Sequence, residues 1–131
     1  MAKSDLRKIA KDASKKAHSP YSKAKVGSAI QMTSGNVYDG CNIENSSFGG
    51  TVCAERVAIW KAISEGEKSI DKVYVYTKDG WPPCGLCLQV MSEFAGKNLE
   101  IIIGNEKGEE KTLKFKELLP NAFTPENLKK L

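Results

Sequence analysis

The chain has 131 residues, a net charge of +4 and no apolar stretch near the roughly 20 residues of a membrane span. Its 20 basic residues are scattered among 16 acidic ones, which favours an ordinary solvated surface over a clustered basic nucleic-acid interface. We predict a single domain over residues 1–131, without a secretory signal or a membrane partner, in the cytoplasm.

The first elements predicted along the chain are a helix and a hairpin. Apolar residues recur at helical spacing from Leu6 to Ala17, which predicts an amphipathic helix ending before Ser19-Pro20. Residues 26–32 and 37–41 are strand-like, and the turn composition of residues 33–36 joins them into a predicted hairpin.

The central region alternates loop, helix and strand. A polar loop over residues 42–50 lies between a strand end and a helix start, where α/β sheets bind ligands. The next helix runs from Cys53 to Glu65 and is apolar nearly all round, so we expect it to be covered on every side. Residues 73–77 predict a buried strand, and Cys84 to Phe94 a further helix.

The last third of the chain predicts two more strands and a short helix. Residues 99–103 read as a buried strand, and residues 112–116 as an alternating strand with Leu113 and Phe115 inward. A helical tail covers residues 125–131. The complete order predicts an α/β fold, a three-layer α/β/α sandwich around a mixed sheet of about five strands.

Two cysteine motifs indicate a metal site. Cys53 and Glu55 form Cys-x-Glu, and Cys84 and Cys87 lie in Pro-Cys-x-x-Cys. Three thiols can occupy three corners of a zinc tetrahedron and leave the fourth open, which is the arrangement of catalytic rather than structural zinc. Glu55 can stand over the metal without binding it and serve as a proton shuttle.

Three thiolates reduce the acidity of a zinc ion, so compensating positive charge is expected. Cys53 begins one predicted helix, and Cys84 and Cys87 lie at the start of another, where the helix dipole lowers thiol pKa values. Arg56 follows Glu55 and can donate hydrogen bonds to ligand sulfurs from behind the metal.

Other uses of the cysteines stay open at this point. Cys41 could be the fourth ligand of a closed structural zinc site, although it lacks the Cys-x-x-Cys partner usual there, and we favour a small buried strand residue. Cys84 and Cys87 could instead form a redox dithiol. An odd fourth cysteine favours a reducing compartment, and the single His18 excludes sites that need two imidazoles.

The motifs resemble those of the small homotetrameric zinc-dependent cytidine deaminases. The similarity covers nearly the whole chain, in the blocks Ser19–Lys23, Val26–Gly27, Gly40–Asn45, Thr51–Arg56, Pro83–Cys87 with Gln89, and Glu117–Pro120 with Phe123. The zinc deaminase signature itself combines a ligand, a non-ligating glutamate and Pro-Cys-x-x-Cys.

The resemblance implies one Zn²⁺ per subunit and hydrolysis of cytidine and deoxycytidine to uridine and deoxyuridine. Zinc-bound hydroxide attacks C4, and Glu55 carries protons to N3 and to the departing ammonia. The resemblance implies that Asn42 and Glu44 bind the ribose 3′-hydroxyl and that the Pro82 carbonyl contacts the exocyclic amine. It also implies that Phe123 covers the pyrimidine in the site of a neighbouring subunit. The remaining expected substrate-binding residues are Val26, Phe48 and Ala54. Gln89, like Arg56, is expected to support the metal ligands.

Four positions depart from the family pattern. Ala24 replaces a phenylalanine against the base, Phe48 a tyrosine, Pro82 a serine or threonine, and Leu88 an arginine near the zinc helix. These changes leave the zinc and proton machinery intact and bear on substrate preference. The alternative function is therefore a zinc deaminase of another aminopyrimidine, such as a modified nucleoside or a blasticidin-like antibiotic. A polynucleotide deaminase and a non-catalytic zinc module are the remaining hypotheses.

Overall fold

The computed structural model describes residues 2–129. Within that range the helices and strands are α1 (Lys3–Ser14), β1 (Gly27–Met32), β2 (Val37–Cys41), α2 (Ala54–Ser64), β3 (Ile70–Tyr76), α3 (Gly85–Phe94), β4 (Ala95–Gly104), β5 (Glu110–Lys114), α4 (Phe115–Leu118) and α5 (Pro125–Lys129). A 3₁₀ turn covers Phe48–Gly50. The predicted tail helix is observed as α5, and residues 130 and 131 lie outside the described range.

The five strands form one mixed sheet in the order β2-β1-β3-β4-β5. β3 and β4 are parallel, and the other neighbouring pairs are antiparallel. α3 lies between β3 and β4 in the chain and supplies the crossover that a parallel pair requires. The predicted mixed sheet is confirmed.

Helices cover both faces of the sheet. Side chains alternate along a strand, so Val73 and Val75 pack with α2 and α3 in one apolar cluster, and Tyr74 packs with Leu6 and Ala10 of α1 in another. This arrangement is the predicted three-layer sandwich. No helix in residues 2–129 has the length and hydropathy needed to cross a membrane.

One end of the sheet gathers the loops that carry the predicted site. Gly27 at the start of β1 pairs with Cys41 at the end of β2 and with Tyr76 at the end of β3. Tyr76 in turn pairs with Gly104 at the end of β4. The segments before β1, after β2 and after β3 therefore emerge side by side.

Several element boundaries differ from the prediction. α1 ends at Ser14 rather than near Ala17, and its last turn is followed by tighter three-residue turns at Lys16 and Ala17. β3 begins at Ile70 and β4 at Ala95, each earlier than the apolar run alone indicated.

Two further predictions are wrong. The sequence predicts that the last strand extends to residue 116, but β5 ends at Lys114, whose backbone N–H donates to the Glu117 carboxylate and begins α4. Leu113 and Phe115 still pack against the apolar cluster that contains Val73, so their predicted inward orientation is confirmed. α2 is not covered on every side, because Trp60 is 50% exposed in this chain and Lys61 is exposed.

Candidate metal centre and active site

The predicted zinc ligands meet at the ends of two helices. Cys53 and Cys84 are the residues that cap the N-termini of α2 and α3, and Cys87 lies in the first turn of α3. The three Sγ atoms lie within 4.8 Å of one another, and those of Cys53 and Cys84 are 3.5 Å apart. Soft thiolates at this separation suit one zinc ion.

Cys41 is not part of this group. It ends β2, is only partly buried, and is absent from the set of potential ligand atoms found among residues 2–129. The closed four-cysteine site considered as an alternative is therefore not formed, and three protein ligands leave a coordination position free for chemistry.

The three thiols lie in an electropositive environment. Arg56 lies in the first turn of α2, and its Nη2 atom donates to the Cys53 sulfur at 3.5 Å. Hydrogen bonds from Cys87 and then from Arg56 lower the pKa of Cys53 to about 5. The first backbone N–H groups of α3 add to this field, since Cys87 N donates to the Cys84 sulfur at 3.5 Å.

Glu55 is buried beside the thiols. Its side chain is 3% exposed, and its Oε1 atom has no hydrogen-bond partner among the described residues. Burial raises the pKa of this carboxyl group to about 7. A carboxyl group with a free acceptor atom and a pKa near neutrality can both take and release a proton at physiological pH.

Close packing against β2 sets the position of Glu55. A Cβ atom on Gly40 would lie 2.5 Å from the Ala54 carbonyl oxygen and 2.7 Å from the Ala58 nitrogen. Only glycine allows α2 to approach the strand this closely. Ala54 is fully buried at this contact and is not among the residues that line the cavity.

A cavity of about 240 Å³ brings the thiols and the predicted binding residues together. Cys53, Cys84 and Glu55 line it, and Val26, Asn42, Glu44 and Pro82 form other parts of its wall, as does Ala24. Sequence reasoning missed Thr51, Thr77 and Trp81 in the same wall. Thr77 carried a usable signal, because a threonine at a strand end before Asp-Gly favours a turn bonded to its hydroxyl, and Gly80 and Trp81 donate to it at 2.8 and 2.7 Å.

Asn42 and Glu44 also hold the loop that precedes β1. Asn42 Oδ1 accepts from Val26 N, and its Nδ2 donates to the Ala24 carbonyl, both at 2.9 Å. Glu44 accepts from the backbone N–H groups of Tyr21 and Ser22 and from the Ser22 hydroxyl. These bonds lower the pKa of Glu44, the largest effect coming from the Ser22 side chain.

Three other predicted residues lie outside the cavity wall. Phe48 is 74% exposed and packs edge-to-face on Tyr21, with the ring centroids 5.7 Å apart. Phe123 is 54% exposed, and its carbonyl oxygen accepts from Gln89 Nε2 at 2.8 Å. Gln89 thus anchors the C-terminal segment to α3 rather than bonding a thiol, contrary to the expectation that it supports the metal ligands.

Leu88, at the position of a family arginine, is buried in the apolar cluster on the α2–α3 face. No cation stands there, so among the described residues Arg56 is the basic side chain that bonds a ligand sulfur. This outcome fits the compensating role expected for Arg56.

Comparison with known proteins identifies close relatives. A family model described as the zinc-binding region of cytidine and deoxycytidylate deaminases matches residues 2–103, which include all three cysteines and Glu55. A cytidine deaminase of Halalkalibacterium halodurans is 45% identical over 114 residues, covering 86% of each chain. One of Sporosarcina psychrophila is 42% identical over 120 residues, covering 90% of this chain and 88% of the relative.

Solved structures agree with the sequence relatives. The crystal structure of cytidine deaminase from Burkholderia pseudomallei matches with a TM-score of 0.89 and 38% identity, over 94% of this chain and 100% of that one. The enzyme from Mycobacterium tuberculosis matches with a TM-score of 0.82 and 33% identity, over 94% and 98%. The predicted fold is confirmed by both similarities.

Proposed function

This chain belongs to the cytidine and deoxycytidylate deaminase family, and we propose that it hydrolyses cytidine and deoxycytidine to uridine and deoxyuridine. The observation that carries the proposal is a single cavity in which Cys53 and Cys84 stand beside the buried carboxyl group of Glu55. Relatives that are 45% and 42% identical carry the name cytidine deaminase, which supports this choice of substrate.

Cys53, Cys84 and Cys87 would hold the zinc ion, one per subunit. When bound, zinc supplies the Lewis acidity that makes water a nucleophile at neutral pH. Arg56 and the N-termini of α2 and α3 offset the negative charge of the three thiolates, so that this acidity is retained.

Glu55 would move the protons of the reaction. Its free Oε1 atom takes a proton from the attacking water as the water oxygen bonds to C4 of the pyrimidine. The same carboxyl group passes that proton to N3, takes the second proton from the new C4 hydroxyl group and passes it to the amino nitrogen. The C4–N bond then breaks, which releases ammonia and leaves a carbonyl at C4.

The rest of the cavity wall would orient the nucleoside. Asn42 and Glu44 lie together at the wall and are proposed to bind the ribose 3′-hydroxyl. Val26 contributes an apolar contact, and the carbonyl of Pro82, near Cys84, is proposed to accept a hydrogen bond from the amine that leaves. Asn42 and Glu44 are already fixed by their bonds to the loop before β1, so little ordering is needed when substrate binds.

A homotetramer would complete the site. Phe48, Trp60, Leu86 and Phe123 are large apolar side chains exposed on the single chain, and exposed apolar groups of this size favour association. We propose that Phe123 of one subunit covers the pyrimidine in a neighbouring cavity and that Phe48 lies at the same junction.

Four free thiols fit the reducing cytoplasm proposed as the compartment.

Direct measurement of deamination tests the proposal. Zinc-loaded protein should consume cytidine and deoxycytidine in an ultraviolet assay, with cytosine, dCMP and blasticidin S as comparison substrates. Glu55→Gln should keep zinc and lower kcat by about 10²–10⁴-fold, because it removes the proton carrier and no ligand. Glu65→Gln, at the exposed end of α2, is the matched control and should retain both the zinc content and the kcat of the wild type.

Two results would overturn the proposal. Loss of zinc from the Glu55→Gln variant would make Glu55 a ligand rather than a shuttle. Absence of turnover of both nucleosides by the zinc-loaded wild-type protein would exclude them as substrates and favour another aminopyrimidine.

A further inference from the structure

A second cavity, of about 450 Å³, adjoins the active-site cavity. The two share Ala24, Thr77 and Trp81 as walls. Ala24 presents only a methyl group where they meet. A ligand seated in the first cavity could therefore extend a substituent past Ala24 into the second.

The second cavity carries an excess of positive charge. Lys23, Lys25 and Lys78 line it, against two carboxylates, Asp79 and Glu106. Within residues 2–129, none of the three ammonium groups lies within 4.0 Å of a carboxylate oxygen. These lysines are therefore available to an anionic ligand.

The loop that presents two of these lysines is held by the active site itself. Glu44 accepts hydrogen bonds from Tyr21 and Ser22 on one side of Lys23. The Asn42 side chain bonds the carbonyl of Ala24 on the other side. Lys23 has a φ of 65°, an uncommon conformation for a residue other than glycine that persists where surrounding bonds enforce it. The lysines thus stand on an anchored backbone next to the substrate.

One wall of the junction, Trp81, is next in sequence to the residue proposed to contact the departing amine. Asn42 and Glu44, proposed to bind the ribose, do not line the second cavity. Trp81 lines both cavities and directly precedes Pro82, proposed to contact the departing amine. A substituent that enters the second cavity is therefore expected to come from the edge of the pyrimidine ring.

We propose that the second cavity is a subsite for an anionic group carried on the pyrimidine ring, so that the enzyme deaminates ring-carboxylated cytidines. The inference rests on the proposed deaminase function and deepens it by naming a substrate class. The chemistry at C4 is unchanged: water adds, the C4–N bond breaks, and the carboxylate is held by the lysines without reacting.

Matched substrates separate the effect of the charge of the ring substituent from the effect of its size. 5-Carboxycytidine and its neutral isostere 5-carbamoylcytidine differ by one charge, and cytidine and dCMP complete the set. At low salt, kcat/KM for the carboxylate should exceed that for the carboxamide by about tenfold, the size expected for a few partly exposed ion pairs. The ratio should shrink toward one in about 1 M salt, because exposed charges are screened.

Variants test the lysines and the junction. Replacing Lys23, Lys25 and Lys78 together by alanine should reduce the carboxylate-to-carboxamide ratio to about one. Lys68→Ala is the control and should keep the carboxylate-to-carboxamide ratio of the wild type. Lys68 lies before the start of β3, whereas the cavities lie beyond the end of that strand. Ala24→Phe should lower kcat/KM of both C5-substituted nucleosides relative to cytidine, because it separates the two cavities.

The outcomes distinguish this inference from the underlying function. Cytidine turnover combined with equal rates for the carboxylate and the carboxamide overturns the subsite and leaves the deaminase proposal standing. A lysine-dependent preference for dCMP without one for 5-carboxycytidine overturns the placement at the ring edge. No turnover of cytidine or of either derivative overturns the proposed deamination of cytidine itself.

Discussion

Cys87 and Glu55, at the zinc centre, are almost inaccessible to solvent, whereas Phe48 and Phe123, two aromatic residues predicted to contact substrate, are 74% and 54% exposed. The zinc centre is built within one chain by two helix N-termini packed on the sheet. The two aromatic residues lie outside the cavity wall, Phe48 on a 3₁₀ turn and Phe123 in the C-terminal segment. The side chains for metal binding and proton transfer thus meet within one chain, whereas the aromatic side chains proposed to cover the base stay exposed on it.

The largest effect is expected at the zinc centre. Cys84→Ala should lose zinc and reduce deamination to background, because two thiols are too few to retain the metal in a catalytic site. Cys84 is exposed, so the substitution should leave the fold intact by circular dichroism. Cys41→Ala, which changes a thiol outside the ligand group, should keep full zinc content.

Arg56 tests how much support the thiols need. Arg56→Leu removes a donor to the Cys53 sulfur and should weaken zinc retention by about 10–100-fold in a chelator competition. Arg56→Lys keeps the positive charge but not the planar fork of donors, so its zinc retention should lie between those of the wild type and Arg56→Leu. Unchanged retention in Arg56→Leu would show that the helix N-termini compensate the thiolates alone.

A Phe123 variant tests the proposed aromatic cover over the base. Phe123→Ala should raise KM for cytidine by about 2- to 10-fold through lost aromatic contact, with the oligomer still assembled in analytical ultracentrifugation. Leu128→Ala, an equally exposed apolar position in α5, is the control. Unaltered kinetics in an intact oligomer of the Phe123 variant would place this side chain away from the base.

The smallest effect is expected far from the cavity, in the turn after β1. Ser34, Asn36 and Tyr38 donate hydrogen bonds to the Glu67 carboxylate and lower its pKa. A lowered folded-state pKa stabilises the protein above the unfolded value of about 4.3, and that stability is lost as the pH falls through the folded-state pKa.

Glu67→Gln should therefore lower Tm slightly at neutral pH and narrow its difference from the wild type in acid, with deamination unchanged. Tm measured across the acid range for both proteins checks the sign. A difference that grows as the pH falls would contradict this assignment of the Glu67 carboxylate.

Local sequence determined the chemistry of the site. Cys84 and Cys87 are three residues apart, so one helical turn places them on the same face whatever the rest of the chain does. Glu55 follows Cys53 by two residues at the start of a helix, which brings the carboxyl group near the metal. The sheet could also be predicted, because strand periodicity and turn composition depend on neighbouring residues.

Tertiary structure decided everything that depends on residues far apart in the chain. Cys53 meets Cys84 because β2 and β3 end at the same edge of the sheet, beside the start of β1, and the loops that follow β2 and β3 converge there. The exposure of Trp60 and the helical start at Phe115 reversed expectations from local pattern. The bond from Gln89 to Phe123 differs from the role that the family resemblance implied for Gln89. The junction of the two cavities at Ala24 arises in the same way, because the shape of a cavity is set by which walls pack together and not by the residues of any one segment.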